Sequence, residues 1–176
     1  MSHIEHNPAG RTDACSNRWG VSAEETEYPS PLLNVLSGVV ISRTEGLTRM
    51  TLRIRVGEGT VLRVRWQTPS PIADIIEIGQ TVQVTIPSEA VQLEAGWFRR
   101  GKQRWNRWIG RVVLVNRNNR DLITSVKIYR DSITLHSVAP VIGAACLTSW
   151  DTVNIVVDPH QVGVVPVSRQ SRSYVE

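Results

Sequence analysis

The chain has 176 residues, 41% of them hydrophobic and 20% charged, with 20 Lys and Arg against 16 Asp and Glu for a formal net charge of +4. That length holds one ordinary domain or two small ones, and so mild a positive balance does not by itself imply a nucleic-acid partner. Two cysteines, Cys15 in a polar stretch and Cys146 in the apolar run IGAACL, exclude a disulfide framework, and no apolar run is long enough to span a membrane.

Residues 1–30 mix Asn, Ser, Gly, Pro and charges with no sustained period and read as a disordered tail. They carry no apolar h-region, so a secretory signal is not expected and a cytoplasmic location is. His3, His6 and Cys15 match no metal-ligand spacing. From residue 31 the texture becomes short alternating runs. In MTLRIRVGEG, Leu52, Ile54 and Val56 share one face while Arg53 and Arg55 take the other; TVLRVRW and TVQVTI alternate in the same way. Period two with β-branched residues predicts half-buried antiparallel strands, and GEG at 57–59 a tight hairpin connection. Residues 68–79, TPSPIADIIEIG, read as loop with one helical turn at most.

The second half repeats the first. VLSGVVIS returns as WIGRVVLV, the following hairpin as LITSVKIY and DSITLHSV, and GQTVQVTIPSEAVQLE as WDTVNIVVDPHQVGVV. Asn34 matches Asn106, Gly38 matches Gly110 and Val40 matches Val112; later, with one residue lost, Val82 matches Val153 and Leu93 matches Val164. Such a period implies an internal duplication of a five-strand unit. The reading is all-β: two tandem five-stranded OB-like Greek-key barrels, over 31–95 and 104–166, joined by a basic linker at 96–103 and followed by a tail at 167–176.

The junction, GWFRRGKQRWNRWIGRVV at 96–113, holds six Arg or Lys, three Trp, one Phe and no acid. The repeat gives Trp108 the place of Leu36 and Trp105 that of Leu33, both packing positions. It leaves Trp97, Phe98, Arg99, Arg100, Lys102 and Arg104 unexplained. These six form a candidate surface for single-stranded nucleic acid, with cations for phosphates and aromatic rings for bases. The competing reading is a solvated connector whose rings tuck onto the lobes.

Each repeat opens N-x-[LW]-x-G-x-V, as NVLSGVV at Asn34–Val40 and NRWIGRV at Asn106–Val112, and closes with an apolar residue, a Pro and a V-x-[LV] exit, as IPSEAVQL and VDPHQVGV. This resembles the transport-associated OB (TOBE) family behind the ATPase subunits of bacterial ABC importers, and the related Mop-like molybdate-binding domains. The resemblance covers both repeats. It implies a module, able to form a homo-oligomer, that binds an oxyanion such as molybdate or tungstate, or docks on an ABC import ATPase or permease; with no apolar span, membrane insertion is not expected. A tetrahedral dianion wants donors and no nearby carboxylate. Asn34 and Asn106 keep the family's opening asparagine; Arg104 and Lys127 are further donor candidates. The family's donor positions on the closing strand hold Pro87 and Asp158, and Glu89 and His160. A plainer role for the two asparagines is a side-chain bond to their own local backbone.

No G-x-x-x-x-G-K-[ST] loop, C-x-x-C or H-E-x-x-H occurs, and His3, His6, His136 and His160 are scattered. The chain cannot supply an ATPase site, and an enzyme is not expected. Two hypotheses remain: a non-enzymatic oxyanion-binding or regulatory module associated with ABC import, and a single-stranded nucleic-acid-binding OB protein using 97–111.

Overall fold

A computed structural model describes residues 32–68, 75–95, 104–117, 121–140 and 147–167. The N-terminal tail, most of the C-terminal tail, Cys146 and the linker residues Trp97, Phe98, Arg99, Arg100 and Lys102 lie outside them. No described helix is long and apolar enough to cross a membrane.

Alternation decides the strands. The first half forms β1 (Leu33–Glu45), β2 (Arg49–Arg55), β3 (Val61–Gln67), β4 (Thr81–Pro87) and β5 (Val91–Ala95). The second forms β6 (Asn106–Arg117), β7 (Asp121–Ile128), β8 (Thr134–Pro140), β9 (Thr152–Val157) and β10 (Gly163–Pro166). Met50, Leu52, Ile54, Leu62, Val64, Val82, Val84 and Ile86 point inward and are buried, while Arg53, Arg55 and Arg63 between them are exposed. Trp108 packs on the core as Leu36 does, as the repeat predicts; Trp105 is half-buried, whereas its counterpart Leu33 lies 47% exposed.

The strands make two five-stranded antiparallel sheets, ordered β10-β4-β1-β2-β3 and β5-β9-β6-β7-β8. In each, the first strand pairs with the second along one stretch and the fourth along another, the signature of a small Greek-key barrel of the OB type. The sheets do not follow the two halves of the sequence. β5 leaves β4, passes through a 3-10 turn at Ser88–Ala90 and pairs with β9 of the second sheet. Reciprocally, β10 leaves β9 through a 3-10 turn at Pro159–Gln161 and pairs with β4 of the first. The second barrel closes where the Ser137 hydroxyl donates to the Val91 carbonyl at 2.6 Å, tying β8 to the incoming β5.

The two barrels repeat each other in detail. β1 bulges between Val40 and Ser42, and β6 between Val112 and Leu114, so both long strands bend at the same step. Gly38 stands beside Ile54, and Gly110 beside Val126 and Ile155. A methyl group at Gly38 would lie 2.6 Å from Ile54 Cγ2 and 2.9 Å from Val56 Cγ1; at Gly110 it would lie 2.6 Å from Val126 Cγ1. These glycines are dictated by close approach, where the strand turns its inner face against the neighbouring strand.

Gly38→Ala and Gly110→Ala should therefore each destabilise by about 1–3 kcal/mol through overpacking. Urea unfolding reads this directly; unchanged midpoints in both would show that the bends need no glycine.

Candidate anion-binding site and the interlobe seam

The seam between the barrels is built from backbone-like side chains. Asn34, at the start of β1, donates from Nδ2 to the His136 carbonyl at 2.9 Å and to the Ile86 carbonyl at 3.1 Å, and accepts the His136 N–H at 2.6 Å. Asn106, at the start of β6, does the same to Arg63: it donates to the carbonyl at 2.8 Å and accepts the N–H at 2.7 Å. β8 and β3 are the outer strands of their sheets, and each amide acts as a short surrogate strand pairing with that edge. Both asparagines are buried. Their partners are distant in sequence, not the local backbone, and both amide dipoles are committed to them.

Asp131 makes the other seam contact. It sits in the β7–β8 turn, against the β2–β3 turn of the opposite barrel. Its carboxylate accepts the Ser132 N–H at 2.8 Å and the Gly59 N–H at 3.5 Å. Burial raises the pKa of this carboxyl, but bonds from the Thr60 hydroxyl and from the Ser132, Gly59 and Thr60 backbone outweigh it and hold the pKa below its ordinary value. Gly57 faces the same carboxylate, and a side-chain carbon there would collide with it.

Donors without carboxylates gather elsewhere, on the outer face of the second sheet. Thr152, Arg111, Lys127 and Thr134 occupy one row across β9, β6, β7 and β8, and all four are exposed. In the next row Ser125 faces His136, with the hydroxyl 3.0 Å from Nδ1. The Arg111 guanidinium lies 5.9 Å from the centre of the Trp150 ring. Trp150 itself is 76% exposed and holds a left-handed backbone, φ 79°. The same turn in the first barrel uses Gly79, φ 87°, and makes the matching bond, N–H to the Val40 carbonyl at 2.8 Å against Trp150 to Val112 at 2.8 Å. A bulky residue where glycine fits costs about 1–3 kcal/mol, a strain found where a side chain has work to do. The nearest carboxylate in sequence, Asp151, is turned back onto the Thr148 N–H at 2.8 Å.

Of the donors picked from sequence, Lys127 lies in this row. Asn34 flanks it through the backbone of His136. Asn106 serves the other sheet, and Arg104 is exposed in the turn before β6, on the order of 20 Å along the strand from the Lys127–Arg111 pair at the usual rise per residue. Arg111, Ser125, His136 and Trp150 were not singled out by the sequence as partners of Lys127. The only available signal was Trp150 standing where the first repeat has Gly79. On the closing strands, Asp158 caps the Pro159–Gln161 turn by accepting the His160 N–H at 3.0 Å, and Glu89 is exposed. Within 104–111, Trp108 belongs to the core, Arg107 is paired with Glu94 at 3.1 Å and Arg111 stacks on Trp150.

No protein-family model and no curated protein sequence matches the chain. Among solved structures it is similar to ModG, a cytoplasmic molybdate-binding protein crystallised with molybdate bound. The TM-score is 0.67 at 17% identity, over 85% of this chain and 100% of that one. At that identity the likeness establishes the fold: all-β, two five-stranded curled sheets of the OB type.

Removing either amide clamp strands the buried N–H and C=O of its partner, so Asn34→Ala and Asn106→Ala should each cost about 1–3 kcal/mol in chemical unfolding. A loss below a few tenths of a kcal/mol in both would show that the edges are satisfied without them. Because the folded Asp131 pKa lies below the ordinary 3.8, its contribution is complete above that value and lost as pH falls through the folded pKa. Asp131→Asn should flatten the acid limb of the stability curve below about pH 4; an identical limb would remove Asp131 from the seam's energetics.

Proposed function

We propose that this protein is a non-enzymatic oxyanion-binding module, with molybdate or tungstate as the ligand and the Arg111–Lys127 row as the site. The carboxylate-free row of donors beneath a strained, exposed Trp150 carries this reading. A tetrahedral dianion offers acceptor oxygens on every side, so two adjacent cations flanked by the Thr134 and Thr152 hydroxyls match it. Without such a charge, Arg111 and Lys127 stand directly opposite each other as a repulsive cross-strand pair. The barrel fold shared with a molybdate-bound protein supplies the ligand class. Asn34 then positions β8, and through it His136 and Ser125, rather than touching the anion.

The resemblance of the repeat to transport-associated barrels supports the wider proposal that ligand status is conveyed to an ABC import ATPase or permease. The exchanged strands, which tie each lobe to the other through β10–β4 and β5–β9, support that reading.

Titration with molybdate, tungstate and sulfate, read by Trp fluorescence, tests the binding. Trp150 sits on Arg111, so occupancy should change its emission. Lys127→Ala should weaken the response by tenfold or more, the loss of about 1.4 kcal/mol or more from one charge-assisted contact. Trp150→Gly should raise the unfolding midpoint by relieving the left-handed strain, while abolishing the fluorescence response. No saturable change with any of the three anions would reject the site.

A further inference from the structure

The outer face of the first sheet carries a different concentration of charge. β2 reads RMTLRIR and β3 reads VLRVRWQ, with no acid in either. Alternation sends Arg49, Thr51, Arg53 and Arg55 of β2 outward, together with Arg63, Arg65 and Gln67 of β3. The register sets Arg53 directly against Arg63, and Thr51 against Arg65. Arg49, Arg53 and Arg55 are exposed and Arg65 is half-buried. None of these four is in an ion pair with a described residue.

The fold does not require these arginines, and the second barrel demonstrates it. At the corresponding register β7 presents Asp121, Ile123, Ser125 and Lys127, and β8 presents Thr134, His136 and Val138. The same strands close the same barrel there with a mixed, weakly charged face. Like charges placed opposite each other on adjacent strands destabilise a sheet. A face that concentrates them, when its twin does without, is built for a partner of opposite charge.

We propose that this β2–β3 face binds single-stranded nucleic acid. Successive outward arginines on one strand are about 6.7 Å apart, and adjacent strands about 4.8 Å. That makes a two-row grid along which an extended phosphate chain can run. Guanidinium groups suit it doubly: each pairs with a phosphate through two N–H bonds and presents a flat face on which a base can stack. The neighbouring Thr51 and Gln67 add neutral hydrogen-bonding groups. A membrane surface would call for apolar side chains set among the cations; the outward positions of β2 and β3 hold one, Val61, and it is half-buried. This surface lies outside the basic segment 97–104 and shares no residue with the Lys127 row, so it stands or falls independently of the oxyanion site.

Fluorescence anisotropy with a labelled 15-nucleotide oligothymidylate tests the proposal on the full chain. With about four phosphates neutralised, affinity should fall roughly 50-fold between 50 and 200 mM NaCl. The triple variant Arg53→Gln/Arg55→Gln/Arg65→Gln should bind at least tenfold more weakly and with a shallower salt dependence. Its unfolding midpoint should equal or exceed that of the parent, since repulsion is removed, and its molybdate titration should be unchanged. The variant Arg99→Gln/Arg100→Gln/Lys102→Gln should bind the oligonucleotide like the parent. The proposal is overturned by absence of saturable binding at 50 mM NaCl, by a triple variant that binds like the parent, or by loss of binding confined to the 99–102 variant. Capture by phosphatidylserine vesicles in place of the oligonucleotide would overturn it too, in favour of a lipid surface.

Discussion

Everything in this molecule depends on the exchange of two edge strands. A five-stranded barrel is closed by its last strand, and here each barrel takes that strand from the other half of the chain. Neither half can bury its own fourth strand completely: the β4 edge is covered by β10, and the β9 edge by β5. The hydrophobic stabilisation of one lobe is therefore partly located in the other. Lobes of 60–70 residues would be marginal alone, and the exchange merges two small cores into one cooperative body.

The rest of the seam completes what the exchange begins. Once β5 and β10 have crossed over, β8 and β3 remain as outer strands with unpaired backbone groups. Asn34 and Asn106 answer that need with side chains that imitate a peptide unit, and the 3-10 turns lie against the same strands. Asp131 then links the turns at the far end, using backbone N–H groups that a tight, glycine-bearing hairpin leaves open. The side chains of Asn34, Asn106 and Asp131 are spent on structure.

Much of the fold could be read from sequence because it rests on local periodicity. Leu52, Ile54, Leu62 and Val64 alternate with arginines, and that pattern allows one pairing face only. The matched Gly38 and Gly110 pointed to two barrels bent at the same step. The strand exchange was not legible, since nothing in VQLE or GVVP says whether it turns back on its own β4 or continues to the neighbour. The asparagines were visible as a repeated pair, but their partners lie across the seam and have no sequence spacing to reveal them. The Lys127 row was half legible: the lysine stood out on its strand, whereas Arg111 comes beside it only through register after a bulge. Trp150 was hidden for another reason. Left-handed backbone is expected at glycine, and a tryptophan there is visible only when the second turn is laid over the first.

Housing both lobes in one polypeptide has a further effect. An assembly of two identical chains is held to isologous symmetry: whatever one protomer displays, the other must display as well. A covalent pair is free of that obligation while keeping the same interlocked scaffold. Leu36 can become Trp108 inside, Gly79 can become Trp150 at a turn, and the exposed Arg53 can become the buried Ser125, each altered on one side of the pseudo-axis alone. The outcome is a Janus-faced particle: one interlaced frame with two unlike exteriors.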